Sequence, residues 1–166
     1  MKYTIILCIL AMSLWACSGS SNESHSQTET TAAPVATTPI NENDTIEIIA
    51  SGANMTEMRF NIKTLKVPAN KILTIALVNE STDATMPHNI VFVQPGTAND
   101  VGQAGYKFED NGYVNPDDIN VIASSPVVQI NETVYFQFTT PDVGEYEFIC
   151  SYPGHWGRMK GNFITE

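Results

Sequence analysis

At 166 residues the chain has the length of one domain, with room for a proper hydrophobic core. Its formal net charge is −10 and only 16% of its residues are charged, so no basic stripe is available to neutralise phosphates and nucleic acid is excluded as a partner. The only histidines are His25, His88 and His155, which restricts metal chemistry to a mononuclear site.

Residues 1–16 open with Lys2 and an apolar run through Ile5, Ile6, Leu7, Ile9 and Leu10, too short to span a bilayer as a mature helix. They read as an export signal. The run ends in Leu14-Trp15-Ala16-Cys17, which resembles the bacterial lipobox, where the cysteine is lipidated and becomes the mature N-terminus. Trp15 is an unusual occupant of its position, and ordinary signal-peptidase cleavage nearby, giving a soluble secreted form, is the alternative. With Cys8 removed and Cys17 lipidated, Cys150 is the one thiol left in the mature domain, so no intramolecular disulfide is expected. A lone cysteine in an exported chain is retained for a reason, and burial or metal binding is the expected one. The expected location is the periplasm or cell envelope of a bacterium, on either membrane.

Residues 17–44 hold the lipidated cysteine and a Ser, Thr, Asn, Ala and Pro tract with hardly any large apolar residue and no Lys or Arg. Such a tract cannot bury enough surface to order itself and is expected to be a tether. His25 lies in it and is assigned no metal role. Residues 45–166 then change texture to short β-rich runs between Gly, Pro and Asn, as in a sandwich or barrel. Thr45 to Ala50 is the first expected strand. Met58, Phe60 and Ile62 alternate with polar residues, as do Leu73, Ile75 and Leu77 before a turn rich in Asn79, Ser81 and Asp83. A strand over His88 to Val93 is followed by a long loop, Gln94 to Ser125, with room for a helical segment. Val127 to Ile130, Thr133 to Thr139 and Gly144 to Cys150 complete the strands before the last, Lys160 to Thr165. In the run to Cys150, Tyr146, Phe148 and Cys150 share one face and Glu145 and Glu147 the other, so the thiol leaves the strand on the core side. From Thr45 onward there are fourteen acidic against seven basic side chains, and two of the seven, Arg158 and Lys160, sit in or beside the Cys150 to Met159 loop.

That loop carries the chemistry. Cys150, His155 and Met159 occur as C-x4-H-x3-M, with Pro153 and Gly154 supplying stiffness and the turn. Alone, Cys150 and Met159 would be read as core and His88 as a satisfied strand histidine. Together they form a thiolate, two imidazoles and a weak thioether, the donor set of a blue-copper electron-transfer site. His88 must come from another strand, which anchors the site to the sandwich.

At these residues the chain resembles the cupredoxins. Phe148 to His155, with Met159-Lys160-Gly161, is similar to the C-terminal loop of azurins and auracyanins. Met86-Pro87-His88-Asn89-Ile90-Val91 resembles the segment of the first histidine, and Asn115-Pro116-Asp117-Asp118 with Val121-Ile122-Ala123 resembles the azurin segment after its loop insertion. The resemblance implies an all-β, Greek-key sandwich of about eight strands, with one copper ion near one end held by His88, Cys150, His155 and Met159. It also implies that Asn89 ties the two ligand segments together through Ser151, and that the amides of Asn89 and Tyr152 point at the Cys150 sulfur. Pro87 stands where azurin has a glycine whose carbonyl is a second axial donor, so a four-ligand and a five-ligand site both remain open. Arg158 replaces an apolar residue of the azurin docking patch, the azurin disulfide is missing, and Met86, Pro153 and Trp156 are candidates, with Arg158 and Lys160, to surround the electron port.

The expected function is a lipid-anchored carrier of single electrons without a substrate-converting site, working as a monomer. Electrons are expected to pass through the edge of His155 to or from a redox protein such as a c-type cytochrome, an oxidase or a reductase. Copper storage or delivery is the alternative.

Overall fold

The computed structural model describes residues 45–166; the signal segment, Cys17, His25 and the tether lie outside the described residues. Nine strands form two sheets. The first, of four strands, is ordered β2 (Arg59–Phe60), β1 (Thr45–Ser51), β4 (Ile72–Asn79), β7 (Thr133–Thr139). The second, of five, is ordered β3 (Thr64–Val67), β9 (Lys160–Thr165), β8 (Gly144–Ile149), β5 (Val91–Val93), β6 (Val121–Ser124). β1 runs parallel to β4 and β3 parallel to β9, while the remaining pairs are antiparallel.

Alternation along the strands builds the core. Leu73, Ile75 and Leu77 of β4 point into the sandwich, as do Phe92, Phe148 and Phe163 from the facing sheet, and all are buried. Phe92 stands at the centre of an aromatic cluster, with its ring centroid 4.7 Å from Phe163 and 4.8 Å from Phe138. The five-stranded sheet is buried on its outer face too: Val91, Val93 and Ile149 pack against Ala98, Val101 and Val114 of the long connection between β5 and β6. A short helix, α1 (Ala98–Gly105), provides much of that cover. This explains why β5 reads as an unbroken apolar run, Val-Phe-Val, where the one-sided strands alternate.

Four boundaries differ from expectation. The ladder of β5 begins only at Val91; His88 is joined to Val128 by an isolated bridge, its N–H donating at 3.1 Å and its carbonyl accepting at 2.7 Å. The expected strand over Val127 to Ile130 is reduced to that bridge, because Pro126 has no N–H to continue a ladder and the chain turns at once, with Glu132 N–H on the Gln129 carbonyl and Asn131 at φ 57°. The long loop from Gln94 to Ser125 contains both α1 and a strand, β6. β3 is an additional edge strand of four residues, Thr64–Val67, alternating exposed and buried.

Candidate metal centre

Strand β8 ends at Ile149, and the next residue, Cys150, keeps the inward face of Phe148. The loop that follows closes on itself: the Cys150 N–H donates to the Met159 carbonyl at 2.9 Å, and the N–H groups of Arg158 and Met159 both reach the His155 carbonyl, at 3.0 and 2.9 Å. Gly154 makes the bend at φ +83°, a conformation that a side chain would strain. β9 starts at Lys160, so the sheet holds both ends of the loop.

The first-histidine segment is fixed by long-range contacts. Asn89 Nδ2 donates to Ser151 Oγ at 2.8 Å and to the Gly112 carbonyl at 2.9 Å, while its Oδ1 accepts from the Ser151 N–H at 2.8 Å. Asn79, at the end of β4, donates to the Met86 carbonyl at 2.9 Å and the Val128 carbonyl at 3.2 Å, and accepts from the Ser81 N–H at 3.0 Å. Ser81 Oγ in turn lies 3.0 Å from His88 Nε2.

These two segments bring three donor atoms together. The Nδ1 atoms of His88 and His155 are 3.2 Å apart, and Cys150 Sγ lies 3.8 Å from the first and 3.6 Å from the second. A point equidistant from the three is about 2 Å from each, close to metal–imidazole lengths of ~2.0–2.1 Å and a little inside the ~2.3 Å of a metal–thiolate bond. All three residues are buried, and among the described residues they form a group able to hold a metal ion. Met159 is fully buried in the same core cluster as Cys150.

The electrostatics suit a metal and not a proton. Burial, then the charge of His155, brings His88 down to about 3, and burial brings His155 down to about 4, so both imidazoles keep a lone pair free at neutral pH. Burial pushes the Cys150 thiol up to about 12, against the opposing pull of backbone amides of Asn89 and Tyr152 on its sulfur. A metal that binds here displaces the thiol proton and supplies the positive charge the thiolate lacks.

The other predicted residues fall in different places. His155 is 1% exposed, where its ring edge was expected near the surface: the Tyr152 ring packs on it with centroids 4.9 Å apart, and the Met55 methyl lies over Gly154, within 2.9 Å of where a Cβ would stand. Met86, 2% exposed, belongs to the core and offers no surface. Trp156 is half-buried against α1, where a Cβ on Gly102 would fall 2.5 Å from the indole, and it meets Tyr106 edge to face. Pro87 and Pro153 are half-buried; Arg158 and Lys160 are exposed, with Arg158 donating to the Thr56 carbonyl at 3.0 Å. Asn79, Ser81 and Met55 were not singled out by sequence. For Asn79 a signal existed: the inward alternation of Leu73, Ile75 and Leu77 continues to position 79, and a polar residue at a core position marks a hydrogen-bonding task.

A β-sandwich that closes a Cys-His-Met loop over a second histidine, held by an isolated bridge just before β5, presents a thiol and two imidazoles able to hold a single metal ion. Residues 46–166 match the family model for copper binding proteins of the plastocyanin/azurin family, and the chain belongs to that family. Auracyanin-A of Chloroflexus aurantiacus is 36% identical over 125 residues, 74% of each chain, and outer membrane protein H.8 of Neisseria meningitidis serogroup B is 34% identical over 109 residues, 63% of this chain and 60% of that one. The solved structure of auracyanin A, described as a "blue" copper protein, superposes with a TM-score of 0.65 at 34% identity, covering 74% of this chain and 98% of the other.

Proposed function

We propose that His88, Cys150, His155 and Met159 hold one type 1 copper ion in a lipid-anchored, extracytoplasmic electron carrier. The electron-carrier role follows from the family and from the His-Cys-His group; the observation that carries the ligand assignment is the triangle of two Nδ1 atoms and one Sγ with sides of 3.2 to 3.8 Å. Copper bound there supplies a one-electron Cu(II)/Cu(I) couple. The chain's own part is to hold a compromise donor set rigid, so that little rearranges when the electron arrives or leaves. Asn89, Ser151 and the Asn89 and Tyr152 amides do this around the sulfur, and Met159 is assigned the weak axial position, with the Pro87 carbonyl as a possible second axial donor.

With His155 covered, the electron is proposed to cross Tyr152 and the loop surface near Pro153 and Trp156, to a redox protein such as a c-type cytochrome, an oxidase or a reductase. Arg158 and Lys160, cations on an otherwise acidic domain, orient that partner. Anchoring through Cys17 is supported by the lipobox-like sequence, and an envelope location by the relative named as an outer membrane protein. Among the described residues no helix is long and apolar enough to cross a membrane. The proposed anchor is two or more acyl chains on Cys17, enough for stable attachment. Residues 17–44 serve as the tether and 45–166 as the copper domain, a monomer that converts no substrate.

Titration of the purified protein with Cu(II) should produce an intense thiolate-to-copper absorption at one equivalent, absent in Cys150→Ser. Absorption that survives the substitution contradicts the ligand assignment. Cys17→Ala should move the protein from the membrane to the soluble fraction; retention in the membrane contradicts the anchor.

A further inference from the structure

We propose that helix α1 is a positioning element of the metal site and that Trp156 is the positioning residue through which it acts: the helix seats the indole where Gly102 has no side chain, and so fixes the backbone that carries His155 from outside the sandwich. The inference rests on the metal-site reading above and goes beyond it.

The buried residues of α1 are Ala98, Val101, Gly102 and Gly105, the spacing of one helical face. Ala98 and Val101 pack with Val91, Val93 and Ile149 on the outside of the five-stranded sheet, in a cluster that Trp156 joins from the loop. The two glycines stand where side chains would be expected, and glycine is the poorest helix former after proline. Neither takes a left-handed φ, which among the described glycines belongs to Gly52, Gly96, Gly112 and Gly154, so what they supply is room. A Cβ on Gly102 would stand 2.5, 2.7 and 2.9 Å from Cγ, Cδ2 and Cβ of Trp156, the inner half of that side chain, which cannot swing aside as a flexible tip could. A Cβ on Gly105 would collide with the Tyr113 carbonyl and lie 3.4 Å from the Ser151 carbonyl. The helix therefore meets the ligand loop at two places, one next to Cys150 and one next to His155.

Trp156 transmits that hold to the site. Its indole lies on Gly102 and meets Tyr106, the residue that ends the helix, edge to face with centroids 5.4 Å apart. The adjoining His155 ring points the other way, toward Cys150 and His88. The carbonyl between the two residues accepts the N–H groups of Arg158 and Met159, so the peptide that Trp156 pins also closes the turn leading to Met159. A loop held by strands only at its ends is free to move in its middle, and the seat on α1 removes that freedom before a metal arrives.

Gly102→Ala separates this role from a merely structural one, because the two predict opposite signs: alanine strengthens the helix itself, yet its methyl displaces the indole. The purified protein is followed metal-free by amide hydrogen exchange and then titrated with Zn(II) as the probe of the site. In Gly102→Ala the amides of Arg158 and Met159 should exchange about tenfold faster than in the parent while those of β7, in the other sheet, stay within about twofold. Zn(II) affinity should fall about tenfold. Trp156→Ala should behave alike, Trp156→Phe should recover most of the affinity by keeping a ring on the helix, and the double variant should be no worse than Trp156→Ala alone. Loop exchange and zinc affinity unchanged in Gly102→Ala overturn the proposal, as do equal losses of protection in β7 or full additivity in the double variant. Should Gly102→Ala not fold, equal losses in Trp156→Ala and Trp156→Phe overturn it instead. A parent protein that binds no zinc contradicts the metal-site reading, and the exchange rates still decide whether α1 holds the loop.

Discussion

The two segments that meet at the site are built in opposite ways. Cys150 to Met159 is a local device: its donors lie within one turn-rich loop, its ends are hydrogen-bonded to each other, and β8 and β9 hold it from either side. The His88 segment is placed largely by residues far away in the chain, Val128, Gly112 and Ser151, together with the nearer Asn79. A local loop can specify which atoms are donors, whereas the separation of two imidazoles across a sandwich is set only by long-range hydrogen bonds.

The largest expected effect comes from disturbing the sheet that carries the loop. A Cβ on Gly161 would collide with the ring of Phe148, its partner on the neighbouring strand β8, and stand 2.6 Å from the Lys63 carbonyl. Gly161→Val should cost about 3 kcal/mol or more of metal-free stability, measured by chemical denaturation. Next is the contact between the two segments: Asn89→Ala orphans the buried Ser151 N–H and should cost about 2–3 kcal/mol, with Ser151→Ala losing less because the backbone bond to Asn89 survives. Equal losses in the two variants would show that the amide does not bridge the segments.

Acid should then separate the metal-free protein from an ordinary sandwich. Folded values of about 3 for His88 and about 4 for His155 lie below their unbound 6.5, so the unfolded chain takes up protons first. Stability is therefore full above pH 6.5 and declines as pH falls through about 4 toward 3; Cys150, raised from 9 to about 12, adds a decline on the alkaline side above pH 9. His88→Gln should flatten the acid limb, measured by denaturation at stepped pH. The smallest structural effect is expected for Arg158→Ala, within about 0.5 kcal/mol, since the side chain is exposed; its consequence should be a weaker salt dependence of electron transfer to a partner protein.

The same division governs what could be read in advance. That Cys150 and His155 come together was legible because their spacing is local, and the alternation of Tyr146 and Phe148 correctly placed the thiol on the core side. His88 was legible from its neighbours Pro87 and Asn89, but Asn79 and Ser81 looked like ordinary turn residues, since their partners lie at Val128 and His88 and only the folded chain brings them together. β6 was hidden inside a glycine-containing connection, and β3 is four residues at an edge. The Tyr152 ring packs on His155, and the neighbouring Gly154 meets Met55, a residue from the distant β1–β2 connection that no local pattern links to the loop.

X-ray absorption at the copper edge of the loaded protein tests the central claim most directly. The account predicts one sulfur at about 2.2–2.3 Å and two imidazole nitrogens at about 2.0 Å around a single copper ion, with the short sulfur lost in Cys150→Ser. A first coordination sphere of nitrogen and oxygen alone in the unsubstituted protein would contradict it.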